Sequence, residues 1–393
     1  MAKEFDKKTA LAFIIAFGFV SFFADMAYEG MRGITGPYLA ALGASGTIVG
    51  IVAGTGELTG YLLRLVTGKW AARTGAYWAI TLFGYVIQMA AVPLLAIAGN
   101  WWLAALFIIA ERTGKAVRAP AASFMKSRAG EHIGQGWAFG LHEAMDQTGA
   151  MIGPLITALV LAHHGEYADA FAWLGIPAAL TLVAVVSLAM RFSYAGDVPP
   201  KPANDTTHAD GKLPRSFWLY AASAGLVAFG FADYPLIAFH FATTGLMQPA
   251  TIPVLYAIAM GTAGLGSLVF GRLYDRRGLV VLVPGIAITA AVAPLCFLGG
   301  FGAGVAGTVL WGVALGIHDA IMAAAVATMV PAPIRAHAYG VFPAVYGISW
   351  FVGSAAMGAL YDVSLPALAI LATAAQLAAL PLLFAAMREH HRS

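Results

Sequence analysis

The dominant constraint on this chain is a rhythm of apolar runs, each of roughly 20 residues, that repeats from end to end with short polar breaks. A helix of that length crosses a bilayer. Twelve such runs can be laid along the sequence, at 10–40, 46–67, 77–98, 101–125, 136–161, 170–191, 216–243, 251–271, 279–299, 302–329, 336–360 and 365–387. Only 10% of residues are charged, against about 25% in soluble domains, so the expected fold is an all-α membrane protein of twelve transmembrane helices. The lone cysteine, Cys296, lies inside a run, which excludes an intrachain disulfide and a cysteine-based zinc site. A net charge of +3, scattered over the short breaks, offers nucleic acid no basic surface.

An even number of spans puts both termini on one side. Lys3, Lys7 and Lys8, Lys69 and Arg73, Lys126 and Arg128, Lys201, Lys212 and Arg215, Arg272, Arg276 and Arg277, Arg335, and Arg388 with Arg392 fall at the ends and in alternate breaks. The remaining breaks carry no Lys or Arg, so the positive-inside rule makes both termini cytoplasmic, in an inner membrane. The first run follows three lysines as a signal peptide would, but it is long and Asp25 interrupts it, so it reads as a retained helix. The polar, proline-bearing stretch 193–215 reads as a cytoplasmic linker between a six-helix half at 1–192 and another at 216–393.

The two halves resemble each other. Phe23-Ala24-Asp25 followed by Arg32 recurs as Phe231-Ala232-Asp233 followed by His240, and the seven-residue gap is two helical turns. Ala138, Gly140, Ala144 and Gly153 match Ala338, Gly340, Ala344 and Gly353 at an offset of 200.

A charge at bilayer depth costs about 2.5–3.5 kcal/mol on insertion scales, so each one needs a partner, a wet cavity or a task. Asp25, Glu29 and Arg32 fall in span one, Glu57 and Arg64 in two, Glu111, Arg112, Lys115 and Arg118 in four, and His142, Glu143 and Asp146 in five. Asp233 and His240 fall in span seven, His318 and Asp319 in ten, while spans three, six, nine and twelve carry no ionisable group between their ends.

That three-span rhythm resembles the major facilitator superfamily. The resemblance implies cavity-lining spans one, two, four, five and their repeats, two halves that rock about a central site, and no cofactor. Gly271-Arg272-Leu273-Tyr274-Asp275-Arg276-Arg277-Gly278 is similar to the family's cytoplasmic loop motif, implying a latch at Asp275 and Arg276. Its first-half copy departs from the pattern, with Ala72 where the acid belongs. Gly149-Ala150-Met151-Ile152-Gly153-Pro154 resembles the span-five motif of proton-coupled exporters, implying a gating role for Gly149, Gly153 and Pro154; small residues four apart also serve ordinary close packing. Arg112 resembles the buried arginine that such exporters carry in span four.

The leading expectation is therefore a monomeric, non-enzymatic transporter that exports a small solute by exchange with protons. Candidate solute-binding residues are Asp25, Glu29, Arg32, Glu57, Arg112, Lys115, His142, Glu143, Asp233, His240 and His318, with Asp146 and Asp25 as candidate proton carriers. Two alternatives stay open. Arg32, Arg112 and Lys115 form a clamp suited to an anionic metabolite taken up or exchanged. Asp25, His142, Asp146, Asp233, His240 and His318 offer oxygen and imidazole ligands to an exported divalent metal. His142-Glu143-Ala144-Met145-Asp146 has the helical spacing of a zinc hydrolase, but an Asp stands for the second His and no third ligand is identifiable, so no resident metal is expected. Arg64 and Arg118 near span ends can snorkel to the surface, and adjacent Glu111 and Arg112 point about 100° apart.

Overall fold

The computed structural model describes residues 5–163, 165–197, 213–331 and 334–392, so most of the expected linker, including Lys201 and Lys212, lies outside the described residues. The described residues form thirteen α-helices and no strand: α1 (Lys7–Ala41), α2 (Gly46–Thr74), α3 (Tyr77–Leu94), α4 (Trp101–Ile133), α5 (Gln135–His163), α6 (Tyr167–Arg191), α7 (Arg215–Phe229), α8 (Tyr234–Thr243), α9 (Thr251–Arg277), α10 (Leu282–Leu298), α11 (Phe301–Met329), α12 (Arg335–Tyr361) and α13 (Leu365–Arg392). Ten segments are long and apolar enough to cross a membrane, one of which, Thr251–Leu298, holds both α9 and α10. α4 joins them as a further span whose apolarity is diluted by Glu111, Arg112, Lys115 and Arg118. Twelve spans result, with α7 and α8 together forming the seventh.

Several helices outrun the apolar runs. α2 continues to Thr74 and α4 to Ile133, and each stops one residue before a glycine at positive φ, Gly75 (65°) and Gly134 (97°). Hydrophobicity marks where a helix leaves lipid, whereas a left-handed glycine marks where it ends.

The seventh span is broken. α7 ends at Phe229, and Gly230 to Asp233 leave the helical path before α8 begins. Pro235 sits in the first turn of α8, where its missing N–H costs nothing, and the same lack of a donor bars the α7 hydrogen-bond ladder from continuing through it. Carbonyls freed by the break find side chains: Trp311 Nε1 donates to Ala232 O at 2.8 Å and Gln376 Nε2 to Val227 O at 2.8 Å. In hydrocarbon such satisfaction is obligatory.

The chain divides into two compact units, one of residues 1–34 and 62–206, the other of 35–61 and 207–393. In the first unit α3 packs on α4 and α6, and α5 packs against α1. In the second unit α9 crosses α11, α10 lies between α11 and α13, and α7 rests on α12 and α13. Residues 35–61 join this second unit through close backbone contact: a Cβ at Gly50 would meet the backbone of Ser354 and Gly358.

Asp362, just beyond α12, completes that attachment. Its carboxylate accepts hydrogen bonds from the Gly46 N–H at 2.8 Å, the Thr47 N–H at 2.8 Å and the Thr47 hydroxyl at 2.6 Å, capping the start of α2 from 316 residues away. Burial alone would raise this carboxyl, but the bonds from Thr47 and Gly46 outweigh it and hold the group below its ordinary 3.8. A depressed value stabilises the fold above the unfolded carboxylate range, and the gain disappears as pH falls through the folded value. Asp362→Ala should cost about 1 kcal/mol, as loss of a helix cap does. Melting curves in detergent should show that gap at neutral pH and its closure in strong acid.

Candidate functional site

The first unit gathers most of the interior charge, and two helix contacts position it. α5 meets α1 at Gly149 and Gly153, where a Cβ would collide with the carbonyl oxygens of Phe22 and Met26. The contact places Asp25, Tyr28, Glu29 and Arg32 of α1 beside α5 and α4. Pro154 follows inside α5 and removes one helix hydrogen bond at the same level.

Tyr28 is the centre of the cluster and is 1% exposed. Arg112 Nη1 donates to its hydroxyl at 2.6 Å and Arg32 Nη1 at 3.2 Å. Lys115 Nζ stands 3.8 Å from its ring centroid, a cation–π contact. Tyr28 thus holds three cations from two helices. Carboxylates balance them: Asp25 and Glu29 act on Lys115, and Glu111 Oε2 lies 3.8 Å from Arg112 Nε. Glu111 and Arg112 diverge at their α-carbons, yet the long arginine side chain swings back to reach its neighbour.

Beneath this centre a neutral bridge pins α3 to α4. Gln88 donates to Glu111 Oε1 at 2.8 Å and accepts from Arg118 Nε at 2.6 Å, while Arg118 Nη1 donates to the Tyr85 hydroxyl at 3.0 Å. Arg118 is 7% exposed and stacked over Tyr85, so it is an interior strut rather than a snorkelling anchor. Arg64, by contrast, is exposed.

On α5, His142 is buried and its Nε2 lies 2.8 Å from Ser21 Oγ and 3.1 Å from Lys126 Nζ. An ammonium can only donate, so Nε2 accepts and the imidazole is neutral with its proton on Nδ1. Lys126, counted in the sequence as a loop cation, belongs to α4 and supplies the positive charge nearest His142. Asp146, half-buried one turn on, lies within electrostatic reach of Asp25, Lys126 and His142, and Glu143 is exposed.

The second unit uses its polar residues differently. Asp233, 2% exposed at the helix break, accepts from Trp350 Nε1 at 2.9 Å and from the Ser354 hydroxyl, both on α12. His240 Nδ1 lies 3.1 Å from the Tyr361 hydroxyl, also on α12. The two residues therefore share a face, and that face is packed onto another helix. His318 sits edge-on to Phe231 with Thr289 Oγ1 3.5 Å from its Nε2. Glu57 of α2 and exposed Asp319 act on Tyr346 in the same unit. Asp275 and Arg276 stand exposed at the end of α9, and among the described residues Asp275 caps no helix.

Asp25, Glu29, Arg32, Arg112 and Lys115 are thus brought together, whereas Asp233, His240 and His318 are built into packing contacts. Among the described residues no three His, Cys, Asp or Glu side chains are grouped closely enough to hold a metal. Tyr28, Gln88, Ser21 and Lys126 were missed in the sequence. Tyr28 alone left a local signal, since it sits one helical turn before Arg32.

The Major Facilitator Superfamily model matches residues 11–298. An uncharacterised protein of Mycobacterium tuberculosis is 41% identical over 382 residues, covering 96% of this chain and 93% of its own. The fosmidomycin resistance protein of Escherichia coli is 25% identical over 260 residues, covering 64% of this chain and 61% of its own. Among solved structures, a POT family transporter in complex with 5-aminolevulinic acid superposes with a TM-score of 0.76 at 14% identity, covering 96% of both chains, which speaks to fold alone. Helical architecture, interior charges and the matched family model agree: the chain belongs to the Major Facilitator Superfamily and is a multi-pass membrane transporter.

Proposed function

We propose that this chain is a proton-coupled secondary transporter of a small organic solute, acting in the inner membrane with both termini cytoplasmic. The observation that carries the reading is the cluster of Asp25, Glu29, Arg32, Arg112 and Lys115 around Tyr28, within membrane-spanning helices. Charges at that depth are costly, and even where they pair with one another they mark solute and proton pathways. Export is supported by the exporter-like segment Gly149–Pro154 and by the relative named for fosmidomycin resistance.

The cluster itself favours a second reading, uptake of an organic anion together with a proton. Carboxylates and an incoming anion compete for the same cations, so protonating Asp25 or Glu29 would release cations to the solute. Proton and solute would then bind together, which is symport; antagonism between them would give exchange.

Proteoliposomes with a pH dye trapped inside separate the two. With solute added outside, exchange should make the interior more alkaline and symport should acidify it. No internal pH change with any organic anion, cation or neutral solute of a broad panel would contradict proton coupling.

A further inference from the structure

His142 holds Lys126 in a contested seat. A neutral imidazole has one lone pair to offer, on the nitrogen that lacks the proton, and that lone pair takes one hydrogen bond well. Here the nitrogen is Nε2, yet two donors approach it, the Ser21 hydroxyl at 2.8 Å and the Lys126 ammonium at 3.1 Å. His142 and Ser21 are 5% and 3% exposed, while Lys126 is only half-buried. Withdrawing the ammonium therefore strands no acceptor, because the Ser21 hydroxyl can turn its hydrogen to Nε2. Such a cation is held where it is but not fixed there.

A stronger seat stands one helical turn away. Asp146 follows His142 by four residues and shares its face of α5. Among the charges acting on Lys126 it comes first. A carboxylate binds an ammonium more strongly than a neutral acceptor does, and the flexible lysine stem lets the head pass between acceptors one turn apart without moving either helix. The rings of Phe17 and Phe139, centred 5.5 and 5.9 Å from Nζ, flank the ammonium with aromatic faces. Arg118, the other cation in reach, is tied elsewhere by Gln88 and Tyr85. Glu143 is exposed and accepts from Gln147 at 3.1 Å, and Asp25 of α1 is in reach of Lys115 as well as of Asp146. Despite the nearby carboxylate, the ammonium rests on the imidazole.

We propose that Lys126 is a movable counter-charge, resting on His142 Nε2 while the Asp146 carboxyl carries a proton and swinging to Asp146 when that proton leaves for water. This rests on the reading of Asp146 as a proton carrier. In both positions His142 stays neutral with its proton on Nδ1, and the charge on the group falls by one as the proton goes. Neither His142 nor Lys126 then contacts solute; both are positioning residues that act through Asp146.

Solid-state magnetic resonance on the full chain in liposomes, with lysine, histidine and aspartate isotope-labelled, tests the swing directly. In acid the Lys126 Nζ contact should be to His142 Nε2 and in alkali to the Asp146 carboxylate, the signals being assigned by their loss in Lys126→Met and His142→Phe. Asp146→Asn should keep the His142 contact across the whole range. In solute-driven proton movement, Lys126→Met should move the pH profile up by about one unit, because a carboxylate without its cation holds its proton longer. His142→Phe leaves the ammonium no other seat and should move the profile down. Lys69→Met, which removes an exposed cation of α2, should leave it unchanged.

Unliganded melting temperatures report whether the variants fold, and Asp146→Ser takes the place of Asp146→Asn should the latter be unstable. An ammonium found on His142 at every pH, or on Asp146 at every pH, would overturn the proposal. So would a switch that persists in Asp146→Asn, or pH profiles that Lys126→Met and His142→Phe move in the same direction. A switching contact without solute-driven proton movement would leave the proposal standing and defeat the coupling reading. Solute-driven proton movement with a stationary ammonium would do the reverse.

Discussion

Arg112→Ala is expected to abolish transport at matched expression, and Arg112→Lys to restore little of it. The guanidinium reaches the Tyr28 hydroxyl at 2.6 Å through Nη1 and Glu111 at 3.8 Å through Nε. Glu111 is fully buried, so removing its neighbour leaves a carboxylate deep in the first unit without the guanidinium beside it, held by Gln88 at 2.8 Å. A hydrogen bond to a charged group contributes about 1.5–3 kcal/mol and leaving a buried charge uncompensated costs about as much again, so the change predicts a drop of roughly a hundredfold or more. Lysine carries one compact ammonium on a flexible stem and cannot fork between phenol and carboxylate. Solute flux, normalised to membrane-inserted protein, measures the effect. Normal flux in the alanine variant would make Arg112 a packing residue.

Asp146→Asn should separate solute binding from proton coupling. Asp146 is half-buried on α5 with Asp25, Lys126 and His142 in electrostatic reach. Its place on α5, just before the Gly149–Pro154 segment, makes it a candidate proton carrier. The plainer alternative is a fixed pairing with Lys126 that holds α4 to α5. Asparagine keeps the size and hydrogen-bonding capacity but cannot ionise. Coupling predicts that the variant still exchanges labelled solute across the membrane at equal concentrations, yet loses accumulation driven by a pH gradient. Retained gradient-driven accumulation would rule Asp146 out as the essential proton carrier and leave Asp25 as the leading one.

Much of the architecture was legible because lipid imposes a strong, local rule. Spans can be counted from apolar runs, and costly interior charges mark helices that face something other than lipid. Helix ends were less legible, since apolarity stops at the membrane while α2 and α4 run on to Gly75 and Gly134. The broken seventh span had a signal in Pro235, two residues after Asp233; the matching stretch after Asp25 has no proline, and α1 runs through it unbroken.

The site divides the same way. Asp25, Glu29 and Arg32 could be placed together because helical periodicity relates residues three or four apart. The link from Tyr28 to Arg112 spans 84 residues and that from Asp233 to Trp350 spans 117, and a periodic pattern carries no information about either. Repeat symmetry also misled in one respect. Asp25 and Asp233 occupy equivalent positions, but Asp25 lies among the charges of the first unit, whereas Trp350 and Ser354 of α12 hydrogen-bond the Asp233 carboxylate.

The central claim is that solute binds at Tyr28 in the first unit. A structure of the full chain determined with a solute that it transports tests it most directly. The account predicts density for the solute in contact with Tyr28 and Arg112 of the first unit, with Gln88 still bridging Glu111 and Arg118. Solute found instead against Asp233, His240 or His318 in the second unit, with the Tyr28 centre unchanged, would contradict it.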